Sequence, residues 1–371
     1  MKISWIFPHT NRCGISIYSN NYCKALQSRV DLQVFNTSEF IRNSTQMIRE
    51  LNKADLVHIQ YEPSLFFHGK ECFYHKLVTR IAKPVIVSLH EVYNEDPRSF
   101  SRSQIKGFFR AFKLLIYDLR HPFQTAFRKH VYNNFYASLI LVHHNYQADI
   151  LTQLGIIKNR IHVFNHPVKI HYNDNGPAYS GKTLRVGMTG FINPDYNYKL
   201  LFTLLGKINL KWEFVWIGGI RTSEQQYLYQ DILNTISVKG WQDRFHITGW
   251  VSEQEQTRLI AGLDCALALF KNRSSSDSVP CILGALKPVI STSLPLFYDI
   301  NKSFNQITND SSPLIIINDD PDEIVNNLLN LKFDNQIRTE KLEQIKKYIH
   351  YFSFENMAGK LLIFYQSIFD R

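Results

Sequence analysis

Cysteine is scarce. The five in 371 residues, Cys13, Cys23, Cys72, Cys265 and Cys281, are an odd number and form no Cys-x-x-Cys pair. That count argues against a disulfide framework or a cysteine zinc site and favours a reducing compartment. No apolar run approaches the 18 residues of a membrane-spanning helix. The opening "MKISWIFPHTNRCG" has a largely apolar run of only five residues before Pro8, too short for the core of a signal peptide. The Gly-x-Gly-x-x-Gly fingerprint is missing after the first strand, where Gly14 stands alone, and this argues against an NAD enzyme. There is no short repeat and no low-complexity tract. Acidic residues are also in short supply, 32 Asp and Glu against 42 Lys and Arg. The net charge of +10 suits an anionic partner such as an acidic membrane, a phosphorylated substrate or a nucleic acid.

What is present is an ordinary globular balance, 44% apolar and 20% charged, with aromatics high at 13%. At this length two domains are the natural expectation. Short apolar runs alternate with helical spacing, the pattern of β/α units around parallel sheets. "KISWIF", "DLQVF", "ADLVHIQ", "PVIVSLH" and "SLILVHH" are the strands expected in the first half, with helices such as "GISIYSNNYCKALQS" and "FFHGKECFYHKLVTRIA" between them. Lys169–Thr183, rich in Asn, Gly, Pro and Ser, breaks the pattern and reads as a linker. The alternation then restarts with "LRVGMTGF", "EFVWIGG", "RFHITGW", "DCALALF", "KPVIST" and "PLIIIND". The expected organisation is a Rossmann-like domain over 1–172, a second over 183–350, and a terminal helix over 351–371.

Strand ends followed by glycine and a helix are where α/β proteins bind ligands, because free N–H groups and a partial positive charge collect there. Four such places are Gly14 in "NRCGIS", His90 and Glu91 in "SLHE", Gly190 in "MTGFINPDYNYK", and the "RSSSDS" turn. The hydroxyls of that turn suit a diphosphate. Residues 98–130 differ from the rest, with eight Lys or Arg against Asp118 alone, interleaved with Phe, Leu and Tyr. Arg102, Lys106, Arg110 and Lys113 then belong either to a helix lying on an anionic bilayer or to a solvated basic face. Nothing resembles a nucleic-acid-binding module.

The order of these segments resembles the retaining glycosyltransferases of GT-B fold that build bacterial polysaccharides and lipid-linked sugars, of mannosyltransferase-like type. "NRCGISIYSNNYCKAL", "ADLVHIQYEPSLF", "KPVIVSLHEVY" and "SLILVHHNYQADIL" with "IHVFNHPV" are similar to the family's first domain. "RVGMTGFINPDYNYKLL", "FVWIGG", "FHITGWVSEQEQTRLIAGLDCALALF" and "LGALKPVIST" are similar to its second, and "YFSFENMAGKLLIFYQSIF" to its last helix. The resemblance covers essentially the whole chain. It implies an α/β fold of two Rossmann-like domains, with parallel sheets facing across a cleft and a C-terminal helix crossing back to the first. It further implies transfer of a hexose, with retention, from a UDP- or GDP-linked donor to a growing, lipid-linked glycan. No cofactor and no divalent metal is implied, and the setting is the cytoplasmic face of the plasma membrane. His90 is the catalytic position, beside the transferred sugar, and Gly14 approaches the diphosphate.

The sequence departs from that pattern where the donor is held. The family's Glu-x7-Glu positions, anchored on "LGALKPV", fall at Arg273 and Cys281, neither of which accepts hydrogen bonds as a carboxylate does. The basic residues that grip the diphosphate after Gly190 are replaced by Phe191 and Tyr196. In a rebuilt donor site Arg273, Lys199 or Arg221 would supply charge, Asp277 would offer a carboxylate one turn from Cys281, and Ser276 and Ser278 would bind the diphosphate. The alternative is a catalytically inactive paralogue that serves as the binding or scaffolding subunit of an active glycosyltransferase.

Overall fold

The computed structural model describes residues 1–10, 13–68, 71–92, 112, 113, 116, 137–171, 181–309 and 312–369. The chain divides into two compact units, one of 1–165 with 354–371 and one of 166–353.

In the first unit six parallel strands run in the order β2-β1-β3-β4-β5-β6: β1 Lys2–Phe7, β2 Asp31–Asn36, β3 Leu56–Tyr61, β4 Val85–Leu89, β5 Leu139–Val142 and β6 Ile161–Val163. Helices α1 Gly14–Leu26, α2 Glu39–Leu51 and α3 Asn145–Gln153 connect them. The five strands expected from the sequence are present, and β6 is the one it did not mark. The helix expected over "FFHGKECFYHKLVTRIA" is corrected to a short turn, Tyr74–Val78, preceded by an antiparallel pairing of Phe67–His68 with Glu71–Cys72. Its aromatics do not line one helix face. Phe66 and Phe73 pack on each other, Phe66 also on Tyr61 and Phe73 on Phe40.

Strand periodicity gives this sheet two unlike faces. Ile6, Val57, Ile59, Val85, Val87 and Ile140 belong to a continuous apolar core. The opposite face carries Trp5, His58, Gln60 and Ser88, all buried. It is closed by α1 and by the terminal helix α11 (Phe354–Phe369), with Phe354 against Tyr18 and Tyr22 and with Tyr365 reaching His58. Burial among aromatics lowers the His58 pKa from its ordinary 6.5 to about 3. The unfolded chain takes up this proton below about pH 6.5 and the native protein only near pH 3. Stability is therefore lost as pH falls through that window and is unaffected by this group above it. The loss is on the order of a few kcal/mol between pH 7 and pH 4. Urea titrations at the two pH values should show a smaller difference in His58→Asn than in the wild type; equal differences would contradict the assignment.

The second unit repeats the architecture with the order β9-β8-β7-β10-β11-β12, built from β7 Leu184–Thr189, β8 Trp212–Ile217, β9 Phe245–Ile247, β10 Cys265–Ala268, β11 Val289–Thr292 and β12 Leu314–Ile317. All six expected strands are found. The helices are α4 Tyr198–Lys207, α5 Gln226–Val238, α6 Glu253–Ala261, α7 Ser278–Gly284, α8 Pro295–Thr308, α9 Pro321–Phe333 and α10 Asn335–Tyr351. The stretch read as a linker begins with residues held on this unit, and 172–180 lie outside the described residues. Val168 donates to the Phe352 carbonyl at 2.7 Å and His171 to that of Gly284 at 2.8 Å. A Cβ at Gly284 would stand 2.0 Å from the Lys169 carbonyl oxygen, so only glycine lets this strap lie on α7.

Candidate functional site

In the second unit strand order reverses between β7 and β10, the kind of topological switch point at whose C-terminal strand ends α/β proteins bind ligands. The loop after β7, residues 190–197, and the loop after β10, residues 269–277, are tied together here. Asn197 donates to the Leu269 carbonyl at 2.8 Å, Lys271 donates to that of Asp195, and Tyr196 forms a bridge with Phe270. The structure thus brings Gly190, Phe191, Arg273, Ser276, Asp277, Ser278 and Cys281 onto two adjoining segments.

Several of them are engaged with neighbours in the same unit. Arg273 pairs with Asp195 at 3.2 Å, both side chains about three-quarters buried, and lies over the Phe270 ring. Its charge is already countered. Asp277 accepts from His166 Nε2 at 2.7 Å, with His166 buried, so this carboxylate serves a histidine of its own unit. Burial, with Glu253 and Asp277 nearby, pushes the Cys281 thiol up to about 12 and keeps it protonated. Tyr196 points into the unit's interior. It is buried, donates to the Thr189 carbonyl at 3.1 Å, and fills the space beside Gly190, where a Cβ would meet its hydroxyl at 2.6 Å. Ser276 and Ser278 share a hydrogen bond of 2.8 Å at the start of α7. Lys199 is exposed on the first turn of α4.

Beside these loops lies an arrangement that the sequence did not mark. Gly218 has φ +143°, and a Cβ there would come within 2.1 Å of the Gly190 carbonyl, which also accepts from the Trp216 indole at 3.0 Å. A Cβ at Gly219 would come within 3.1 Å of the Gly249 Cα. The ends of β7, β8 and β9 therefore lie backbone on backbone. From these three loops Phe191 stacks on Trp250 (5.6 Å, 18°) and the Arg221 guanidinium lies 5.6 Å over Phe191, while Trp250 stays 47% exposed. Such a shelf presents a flat π-face and a cation to whatever binds.

In the first unit the strand ends gather polar groups. Gly14 opens α1, whose first turn holds no acid and whose preceding residue, Cys13, makes no side-chain cap, so its N–H groups and dipole favour an anion. His90, just past β4, is 5% exposed. Its Nε2 lies 2.9 Å from Gln60 Oε1, its Nδ1 lies 3.5 Å from His143 Nε2, and the Tyr18 ring meets it edge-on at 4.8 Å. His143 Nδ1 faces the Phe164 carbonyl at 3.1 Å, and Gln147 accepts from the backbone N–H groups of His143 and His144. Gln60, His143 and Gln147 were not marked from the sequence. Polar residues inside the all-buried strand "LVHIQY", and after "LILV", were the available signal. Lys113 is exposed, and Arg102, Lys106 and Arg110 lie outside the described residues.

No family model matches the sequence, and no curated protein is similar to it. Solved structures are. Anabaena HepE in complex with UDP is 13% identical, covers 99% of this chain and 100% of its own, and gives a TM-score of 0.72. Sucrose-phosphate synthase from Thermosynechococcus elongatus gives 10%, 100% of both chains and 0.72. A glycosyltransferase from Rickettsia africae gives 12%, 99% and 98%, and 0.70. The likeness extends over the full length of both units, and the fold of this chain is GT-B.

Proposed function

We propose that the protein is a hexosyltransferase that moves a sugar, with retention, from a UDP- or GDP-linked donor to a growing lipid-linked glycan. The observation that carries this reading is the Phe191–Trp250–Arg221 shelf at the second unit's strand ends, a flat π-face and a cation suited to a planar base and a diphosphate. The structures of HepE with UDP and with UDP-glucose lend it support. In this reading the base lies on Trp250, with Arg221 and Lys199 reaching toward the phosphates. The hydroxyls of Ser276 and Ser278 bind the diphosphate in this reading, and the N-terminus of α1 at Gly14 favours an anion. His90 orients the sugar. The barrier falls through positioning and through stabilising charge on the departing diphosphate, with no resident metal in the scheme.

A second reading, an inactive partner subunit, is favoured by two observations: Asp195 neutralises Arg273, and the Cys281 thiol stays protonated. Calorimetric titration with UDP, GDP, ADP, CMP and dTDP separates the two. Saturable binding of one nucleotide, weakened in the Ser276→Ala, Ser278→Ala double variant, is expected; a folded protein silent to all five would favour the inactive subunit.

The charge distribution supports an anionic surface as the acceptor's location. The first unit holds 23 Lys and Arg against 13 Asp and Glu, and the second 19 against 19, so the excess belongs entirely to the first, mostly within 98–130. Among the described residues no helix is long and apolar enough to cross a membrane. We place the protein peripherally at the inner face of the plasma membrane, without a nucleic-acid partner. Arg102→Glu, Arg110→Glu and Lys113→Glu together should weaken binding to anionic liposomes by about a hundredfold or more at low salt, at about 1 kcal/mol per basic residue. Unchanged partitioning would remove the segment from membrane docking.

A further inference from the structure

Helix α8 follows β11, so it begins at the strand ends that carry the candidate site and runs back along the outer edge of the second unit. Between it and the edge strand β12 lies an open cavity of about 730 Å³, within the range of ligand-binding clefts, roughly 300–1,000 Å³. Its helix wall is one face at helical spacing. Tyr298, Lys302, Asn305 and Gln306 are all exposed there, with Tyr298 and Gln306 about 12 Å apart along the axis. Its strand wall is the edge of the sheet. The Leu314 N–H donates to Asn301 Oδ1 at 3.1 Å and Asn301 Nδ2 donates to the Leu314 carbonyl at 3.2 Å, so both backbone groups of Leu314 face α8. The Ile315 carbonyl faces the other way and accepts from the Ser291 hydroxyl of β11 at 3.5 Å. Alternation along the strand then turns the N–H and C=O of Ile316 into the cavity, beyond Asn301.

A planar ring, two amides that each donate and accept, a backbone N–H with its C=O, and one ammonium make up the chemistry of these walls. Among the described residues that line the cavity none is acidic, and Lys302 is the one cation. A phosphate or a polyanion draws several cations around it, and this groove does not supply them. The second unit as a whole is also balanced, 19 basic residues against 19 acidic. The matching ligand is uncharged and carries many hydroxyls around a nonpolar C–H face. Hydroxyls exchange hydrogen bonds in both directions with amides and backbone, and the C–H face lies on the Tyr298 ring, 53% exposed.

We propose that the groove between α8 and β12 binds a neutral oligosaccharide, with one ring stacked on Tyr298 and hydroxyls shared among Asn305, Gln306 and the Ile316 backbone. In the transferase reading this sugar is the growing glycan, held on the second unit away from its reacting end; that role rests on the reading, and the binding itself does not.

The test uses the full-length protein without nucleotide. Maltotetraose, cellotetraose, chitotetraose and mannotetraose are the neutral probes, and tetragalacturonic acid is the charged control. Saturation-transfer NMR should show the ring C–H protons of a neutral probe taking up saturation from the protein, and its addition should slow hydrogen exchange in 312–317. Tyr298→Ala should weaken that binding about tenfold or more, Gln306→Ala should weaken it less, and Tyr298→Phe should keep it. All three should melt as the wild type does, because the side chains are exposed and alanine is a strong helix former. No saturation of any neutral probe, binding unchanged in Tyr298→Ala, or a preference for tetragalacturonic acid would overturn the proposal. Binding of a neutral probe by a protein silent to every nucleotide would uphold the groove and count against the transferase reading alone.

Discussion

Asp264→Asn is expected to lower the stability of the second unit by about 3–5 kcal/mol, the cost of stripping the partner from a buried ion pair. Asp264 precedes β10, at the end of the sheet opposite the loops that carry the candidate site. Its two carboxylate oxygens accept from Lys332 Nζ at 3.0 and 2.9 Å, with both side chains almost fully buried, and Oδ2 also accepts from the Arg185 backbone N–H at 2.7 Å. A second lysine depends on the same carboxylate. Lys287, 1% exposed, has its pKa lowered to about 8 by burial, with Asp264 as the largest opposing influence. For a base whose folded pKa lies below its unfolded value, the native state is penalised at low pH and recovers as pH rises from about 8 toward 10.5. The neutralised variant should therefore be weakest at pH 7 and regain part of the loss at pH 9. Urea unfolding followed by tryptophan fluorescence tests this, since Trp212, Trp216, Trp241 and Trp250 all report on this unit. A change below about 1 kcal/mol would mean that the pair adds little beyond a surface bridge.

Trp250→Ala should weaken nucleotide binding by ten- to a hundredfold, the range expected when one aromatic platform under a base is removed at about 1–3 kcal/mol. The melting temperature of the unliganded protein should hardly move, because Trp250 is half exposed. Trp250→Phe keeps a π-face and should retain most of the affinity. Arg221→Gln removes the cation above Phe191 and should cost less, in keeping with an exposed cation–π contact. Equal affinity in Trp250→Ala would take the base off this shelf.

The sequence showed the sheets well and the chemistry only partly, for a physical reason in each case. Strands such as "LRVGMTGF" and "PLIIIND" are short apolar runs between turn signals, and local pattern suffices to mark them. "IHV" is three residues with no alternation, and its pairing with β5 is a long-range fact. "FFHGKECFYHKLVTRIA" has helical spacing, but its aromatics found partners in Tyr61 and Phe40, and tertiary packing outweighed propensity. At the candidate site the positions of Gly14, His90 and Gly190 at strand ends were legible, because β/α alternation fixes where such ends fall. The partners were not. Asp195 lies 78 residues from Arg273, and His166 lies 111 from Asp277. Spacing along the chain carries no sign of either pairing. Each of these charges is shared with a partner that the sequence did not mark. Gln60 and His58 were visible as polar residues inside a strand, but a lone polar residue in a strand more often satisfies the core than serves a site.

The central claim is that this GT-B protein turns over a nucleotide-sugar. The most direct test incubates the purified protein with a panel of UDP- and GDP-hexoses and a bacterial lipid extract, and follows release of the nucleoside diphosphate together with appearance of the sugar in the lipid fraction. The account predicts release with one donor class, sugar recovered in the lipid, and loss of both in His90→Ala at an unchanged melting temperature. Saturable binding of that nucleotide without release from any donor, in a folded protein, would contradict catalysis and leave a GT-B binding subunit.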